Sequence, residues 1–115
     1  QEGGVTMPEL TRDAEKLLLR MYDSYCRKVK SGSSKKSANY FGSALDIHDA
    51  FAPDSDFDDV SDLVDELKRC GYIDSDRGDN MALKVSISSA AIAYLQNLPK
   101  KKLLAIANFV SNFIP

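Results

Sequence analysis

Between Ser55 and Ile87 the apolar residues change their spacing, and that change fixes what the stretch can become. Phe57, Val60, Leu63, Val64 and Leu67 recur at the 3.6-residue period of one helix face. The run ends at Cys70 before Gly71, a residue suited to the left-handed position just past a helix. From Met81 the period is two: Met81, Leu83, Val85 and Ile87 alternate with Ala82, Lys84 and Ser86, as in a half-buried strand. Residues 72–74 form the partner strand, and Asp76-Arg77-Gly78-Asp79-Asn80 between them is turn chemistry. A helix therefore feeds a two-stranded hairpin.

The flanking sequence supplies further helices. Thr11 is an N-cap for a helix over residues 11–29, with Asp13 and Glu15 favourable in its first turn. Leu10, Ala14, Leu17, Leu18, Met21 and Tyr25 share one face, and Tyr22, Cys26 and Val29 widen it beyond a one-sided stripe. Such a helix is expected between two neighbours. Residues 30–36 read as a flexible basic loop, and residues 39–42 as a short extended piece. Ser43 with Asp46 resembles a capping box opening a second helix to Phe51, with Leu45, Ile47 and Phe51 inward. Ser55 or Asp56 caps the third helix. Ser88 or Ser89 caps a fourth that buries Ala91, Ile92 and Leu95. Pro99 opens a fifth, whose apolar arc includes Leu103, Ile106, Val110 and Phe113.

At 115 residues and 43% apolar content, the chain is one domain able to build a core without crosslinks. Residues 1–8 are expected to be disordered, with Met7 a candidate natural start. Residues 9–98 are expected to form the folded domain, and residues 99–115 an amphipathic helix packed on it or in a dimer. The protein is then a monomer or a homodimer. Cys26 and Cys70 fit no zinc spacing and read as two reduced thiols. No apolar run reaches the roughly 20 residues of a membrane span, so a cytoplasmic location without membrane contact is expected.

The element order helix, helix, helix, strand, strand, helix is that of a winged helix-turn-helix. The fold class expected is thus α+β, mostly helical, with a two-stranded wing and an added C-terminal helix. The segments DVSDLVDELKRCGYI (residues 59–73) and LKVSISSAAIAYLQN (residues 83–97) resemble the small winged-helix proteins of Gram-positive bacteria and their phages, in particular the YjcQ-like group. That resemblance implies an extra C-terminal helix, a regulatory or DNA-associated setting, and no catalytic residues.

Charge runs against the usual use of this fold. From Asp46 to Asp79 there are twelve Asp/Glu against three Lys/Arg; elsewhere there are five against twelve. At 100° per residue, the outward face of the third helix centres on Asp58, Asp62, Asp65 and Arg69. A recognition helix lays its N-terminal part against base edges. One acid there can accept from cytosine, but three near phosphates repel, each by about 1 kcal/mol or more. If DNA is bound, the expected contacts are Lys35, Lys36, Arg77 and Lys84. The alternative is a protein-interaction face of Asp58, Asp62 and Asp65 against a basic partner.

Catalytic chemistry is sparse. His48 is the sole imidazole, so no Ser/His/Asp or Cys/His set has support, and no glycine-rich phosphate loop occurs. The alternating aspartates from Asp54 to Asp62 resemble the start of a calcium loop, but Asp59 stands where such a loop needs Gly. Carboxylates at a helix start are also stabilising for the helix itself. No cofactor, no metal and no enzymatic activity are expected.

Overall fold

The computed structural model describes residues 7–99. They form an α+β fold in which α1 (Arg12–Lys30), α2 (Lys35–Ala38), α3 (Ala44–Phe51) and α4 (Phe57–Arg69) precede a hairpin of β1 (Ile73–Gly78) and β2 (Met81–Ile87). Helix α5 (Ser89–Gln96) follows. The third helix expected from the sequence is thus α4, because one ordered turn, α2, stands where a flexible loop was expected. The C-terminal helix expected over residues 99–115 lies, from residue 100 onward, outside the described residues. Before α1, Met7 packs against the core, and the Tyr72 hydroxyl donates to the Pro8 carbonyl. Burial pushes that hydroxyl's pKa up to about 12.

Each of the described helices starts on a side-chain cap that satisfies an otherwise orphaned N–H. Thr11, Ser34, Ser43, Asp56 and Ser88 fill the role. At α3 the capping box is reciprocal: the Ser43 N–H donates to Asp46 Oδ2 at 2.9 Å, and the Asp46 N–H donates to Ser43 Oγ at 3.2 Å. Helix α4 stops because Gly71 takes φ +84°, which a residue with Cβ adopts at a cost.

Helix α1 is the centre of the packing. Ala14, Leu17, Leu18, Leu19, Met21 and Tyr25 are all buried. At 100° per residue they span about 200° of the helix, so one neighbour could not cover them. Helices α2, α3 and α4 all pack against α1. Ile47 of α3, Val60, Val64 and Leu67 of α4, Ile73, Val85 and Ile87 of the hairpin, and Leu95 of α5 complete the core. Each such side chain contributes roughly 1.5–3 kcal/mol on full burial.

The hairpin departs from the expected phase. Its loop is only Asp79-Asn80, with φ +53° and +62°, the two positive values of a type I′ turn. Arg77 and Gly78 therefore pair with Ala82 and Met81 as strand residues instead of lying in the loop. Between the Asp74–Ser86 and Asp76–Leu83 pairs, β2 carries two residues, Lys84 and Val85, against Ser75 alone. This is a β-bulge, and Lys84 takes φ +52° within it. The bulge shifts the alternation by one residue, so Ala82 is fully buried while Met81 and Leu83 are half-buried.

The bulge also presents Val85 to a third segment. The Phe41 N–H donates to the Val85 carbonyl at 2.9 Å, and the Val85 N–H donates to the Gly42 carbonyl at 2.8 Å. Two residues on, the Asn39 side chain takes the place of a strand. Its Nδ2 donates to the Ile87 carbonyl at 2.9 Å, and its Oδ1 accepts the Ile87 N–H at 2.8 Å. Replacing Asn39 with Ala strands both Ile87 backbone groups, so we expect Asn39→Ala to lower unfolding free energy by about 2 kcal/mol in urea titration. A loss below about 0.5 kcal/mol would show that water replaces the amide.

Candidate nucleic-acid and partner interfaces

The acidic face of α4 is less uniform than its sequence implies. Asp58 and Asp62 are exposed, as expected. Asp65 is only 35% exposed and accepts from Arg77 Nη1 at 3.0 Å. The cause is β1, which passes this side of α4 and also receives Lys68, whose Nζ donates to the Ser75 carbonyl at 3.1 Å. The cation expected at DNA and the acid expected at a protein partner are therefore paired with each other. Glu66 is occupied as well: Oε2 accepts the Thr11 N–H and Oε1 the Thr11 hydroxyl, both at 2.8 Å. It ties α4 to the N-cap of α1. Asp59 turns toward a cleft of about 350 Å³ between α1 and α4, bordered by Asp13, Lys16 and Arg20. Asp56 is the cap of α4, accepting the Asp58 N–H at 2.8 Å.

The cations fall into two groups. Lys35 and Lys36 form the first turn of α2, exposed, with Ser34 Oγ accepting the Ser37 N–H at 3.1 Å. Asn39, next after α2, fixes this helix to the end of β2 through Ile87. Lys84 is exposed at the bulge beside Val85, which pairs with Gly42. The segment that follows Lys35 and Lys36 is thus bound along β2, the strand that carries Lys84, at Asn39 and Gly42. Arg77 sits near the hairpin tip opposite Ala82, five residues from Ile87, or about 16 Å along the strand. Among the described residues, Lys35, Lys36 and Lys84 are in no ion pair.

His48 joins α3 to the turn before α4. Its Nδ1 lies 2.8 Å from Asp49 Oδ1 and its Nε2 lies 2.7 Å from the Ser55 carbonyl. The hydrogen bond to Asp49, and then that to Ser55, raise its pKa against a smaller opposing effect of desolvation. Its ring thereby bridges the end of α3 and the turn before α4.

Neither cysteine is in a disulfide, Cys26 being exposed and Cys70 half-buried. No three His, Cys, Asp or Glu side chains converge as metal ligands among the described residues, and no helix there is long and apolar enough to cross a membrane. No protein-family model matches the chain, and no curated protein or solved structure does so either.

Sequence reasoning missed Glu66, Asn39 and the Asp65–Arg77 pair, all of which act over long sequence separations. The two kinds of acid on α4 can be told apart by stability. Glu66→Ala removes the acceptor for two donors at the α1 cap and is expected to cost about 1–2 kcal/mol. Asp62→Ala, on the solvated face, should stay within about 0.5 kcal/mol. Urea unfolding of the two variants checks the difference; equal costs would contradict the division.

Proposed function

We propose that this chain is a non-enzymatic winged-helix protein, akin to the YjcQ-like group that its motifs resemble. On this reading it contacts double-stranded DNA along the outer edge of its hairpin. Supporting the winged-helix reading, a helix-turn-helix (α3–α4) feeds a hairpin, and Phe41-Gly42 adds a third strand-like pairing to β2. The observation that carries the contact surface is that Asn39, just after the helix of Lys35 and Lys36, bonds to β2, the strand that carries Lys84. Exposed lysines that are in no ion pair among the described residues suit a phosphate backbone, whose contacts position a protein without reading sequence. Helix α4 is unsuited to the major groove. Asp58 and Asp62 sit in its N-terminal half, where base edges and phosphates would lie.

Arg77 is a reserve contact. Its ion pair with Asp65 is exposed, and such pairs are worth roughly 0–1 kcal/mol, little enough for a phosphate to compete. A second reading has Asp58 and Asp62 meeting a basic protein. Among the described residues neither has an ion-pair partner, and that favours it.

Fluorescence titration of mixed-sequence duplex DNA over a salt series separates the two. With three phosphates neutralised, apparent affinity should fall roughly fortyfold between about 50 and about 200 mM salt. Lys35→Ala with Lys36→Ala should flatten the log–log slope by about two, whereas Asp65→Asn should raise affinity by releasing Arg77. Charge reversal at Asp58 and Asp62 should leave the DNA slope unchanged if the hairpin edge makes the contact. No binding at the lowest salt, or an unaltered slope in the lysine variant, rejects the DNA reading. Binding of a defined polycationic peptide that disappears on the same charge reversal would favour the second.

A further inference from the structure

The α3–α4 turn is held by a ring flanked by two acceptors. His48 Nδ1 faces a carboxylate oxygen of Asp49 at 2.8 Å and Nε2 faces the carbonyl oxygen of Ser55 at 2.7 Å. Both distances are ordinary for N–H···O hydrogen bonds. Neither oxygen has a proton to give, since a backbone carbonyl accepts only and an ionised carboxylate accepts only. A neutral imidazole carries one N–H and one lone pair, so it satisfies one of these contacts and sets lone pair against lone pair in the other. The imidazolium satisfies both.

The surroundings favour the cation. Asp49 on α3 and Asp56 at the cap of α4 both act on the ring as negative charges. Phe57 of α4 meets the ring edge to face, with centroids 6.0 Å apart and planes at 77°. The side chain is 15% exposed, which keeps competing water to a minority of its surface. On the other side of the turn, the Phe51 carbonyl accepts from Arg20 of α1, so the end of α3 is anchored independently of the ring.

We propose that His48 is a proton-controlled pin: doubly protonated, it clamps the α3–α4 turn, and on losing a proton it surrenders one contact and loosens the start of α4. This does not depend on the functional reading above, since it concerns the turn alone. The sign follows from linkage. A group whose pKa is raised on folding stabilises fully below its unfolded value, here 6.5, and that contribution disappears as pH climbs through the folded value. The window thus opens above about pH 6.5, at the edge of the physiological range.

Because His48 is the chain's single histidine, its ring resonances in an NMR titration of the full protein are unambiguous. The expected result is a midpoint above 6.5, with ¹⁵N shifts showing both nitrogens protonated below it, and a midpoint displaced downward in Asp49→Asn. Amide exchange at residues 55–58, corrected for its intrinsic pH dependence, should quicken across the same midpoint. In urea, the stability advantage of the native protein over His48→Gln should shrink from about pH 5 to about pH 8. A native midpoint at or below 6.5, or local exchange that ignores the titration, overturns the proposal. The native-protein titration decides the matter even if His48→Gln does not fold.

Discussion

Helix α1 carries apolar side chains around more than half its circumference, and the rest of the molecule is arranged to cover them. Helices α3 and α4 pack on it, while Tyr94, Leu95 and Leu98, with residues 7–10, border Leu18 and Leu19 around a cavity of about 460 Å³. A central helix of this kind fixes the rotation of what lies against it. With Val60, Val64 and Leu67 buried, α4 turns Asp58 and Asp62 to solvent. The Thr11–Glu66 hydrogen bonds add a polar tie at the start of α1, and the Tyr72 hydroxyl holds the chain just before it. The position of the acidic surface is thus a consequence of apolar burial elsewhere.

Local chemistry was legible in the sequence. The caps at Thr11, Ser43 and Ser88, the stop at Gly71 and the periods of α1, α4 and β2 depend on neighbours a few residues apart, and the sequence displays those directly. The buried phase of the hairpin was not legible. Its alternation has the expected Val85 and Ile87, but the bulge inserts a residue whose reason is the distant Gly42 partner. The short helix α2 was not legible, because its four residues have no apolar period and only Ala38 is buried. Turn length also escaped: five turn-forming residues stand together, and the pleat's demand that Asp79 and Asn80 alone adopt positive φ decides which of them turn.

Candidate sites were legible as charges but not as available charges. Lys35, Lys36 and Lys84 have the exposure their sequence suggests. Arg77 and Asp65, assigned to opposing hypotheses, occupy each other. Glu66 belongs to the fold, although the helical wheel sets it beside Asp62. Such assignments need the third dimension, since Thr11 and Glu66 are 55 residues apart. The repulsion that α4 would exert on a polyanion is therefore weaker than its full set of carboxylates implies, although Asp58 and Asp62 keep its sign.

Much of the acidic crowding has a purpose within the backbone. Asp46 completes the cap of α3, Asp56 caps α4, and Asp58 and Asp59 lie in the first turn of α4, where the helix dipole favours negative charge by about 0.3–1 kcal/mol each. Two helices that start close together in sequence concentrate such residues in one stretch without any ligand to select them. The same placement bears on DNA. A recognition helix presents its N-terminal N–H groups and dipole to phosphate, and in α4 those groups already face Asp56 and its neighbours. The carboxylates thus remove the helix's attraction for phosphate as well as adding repulsion. On the proposed DNA-binding reading, phosphate contact would instead fall to Lys35 and Lys36, which open a helix that has no acid in its first turn.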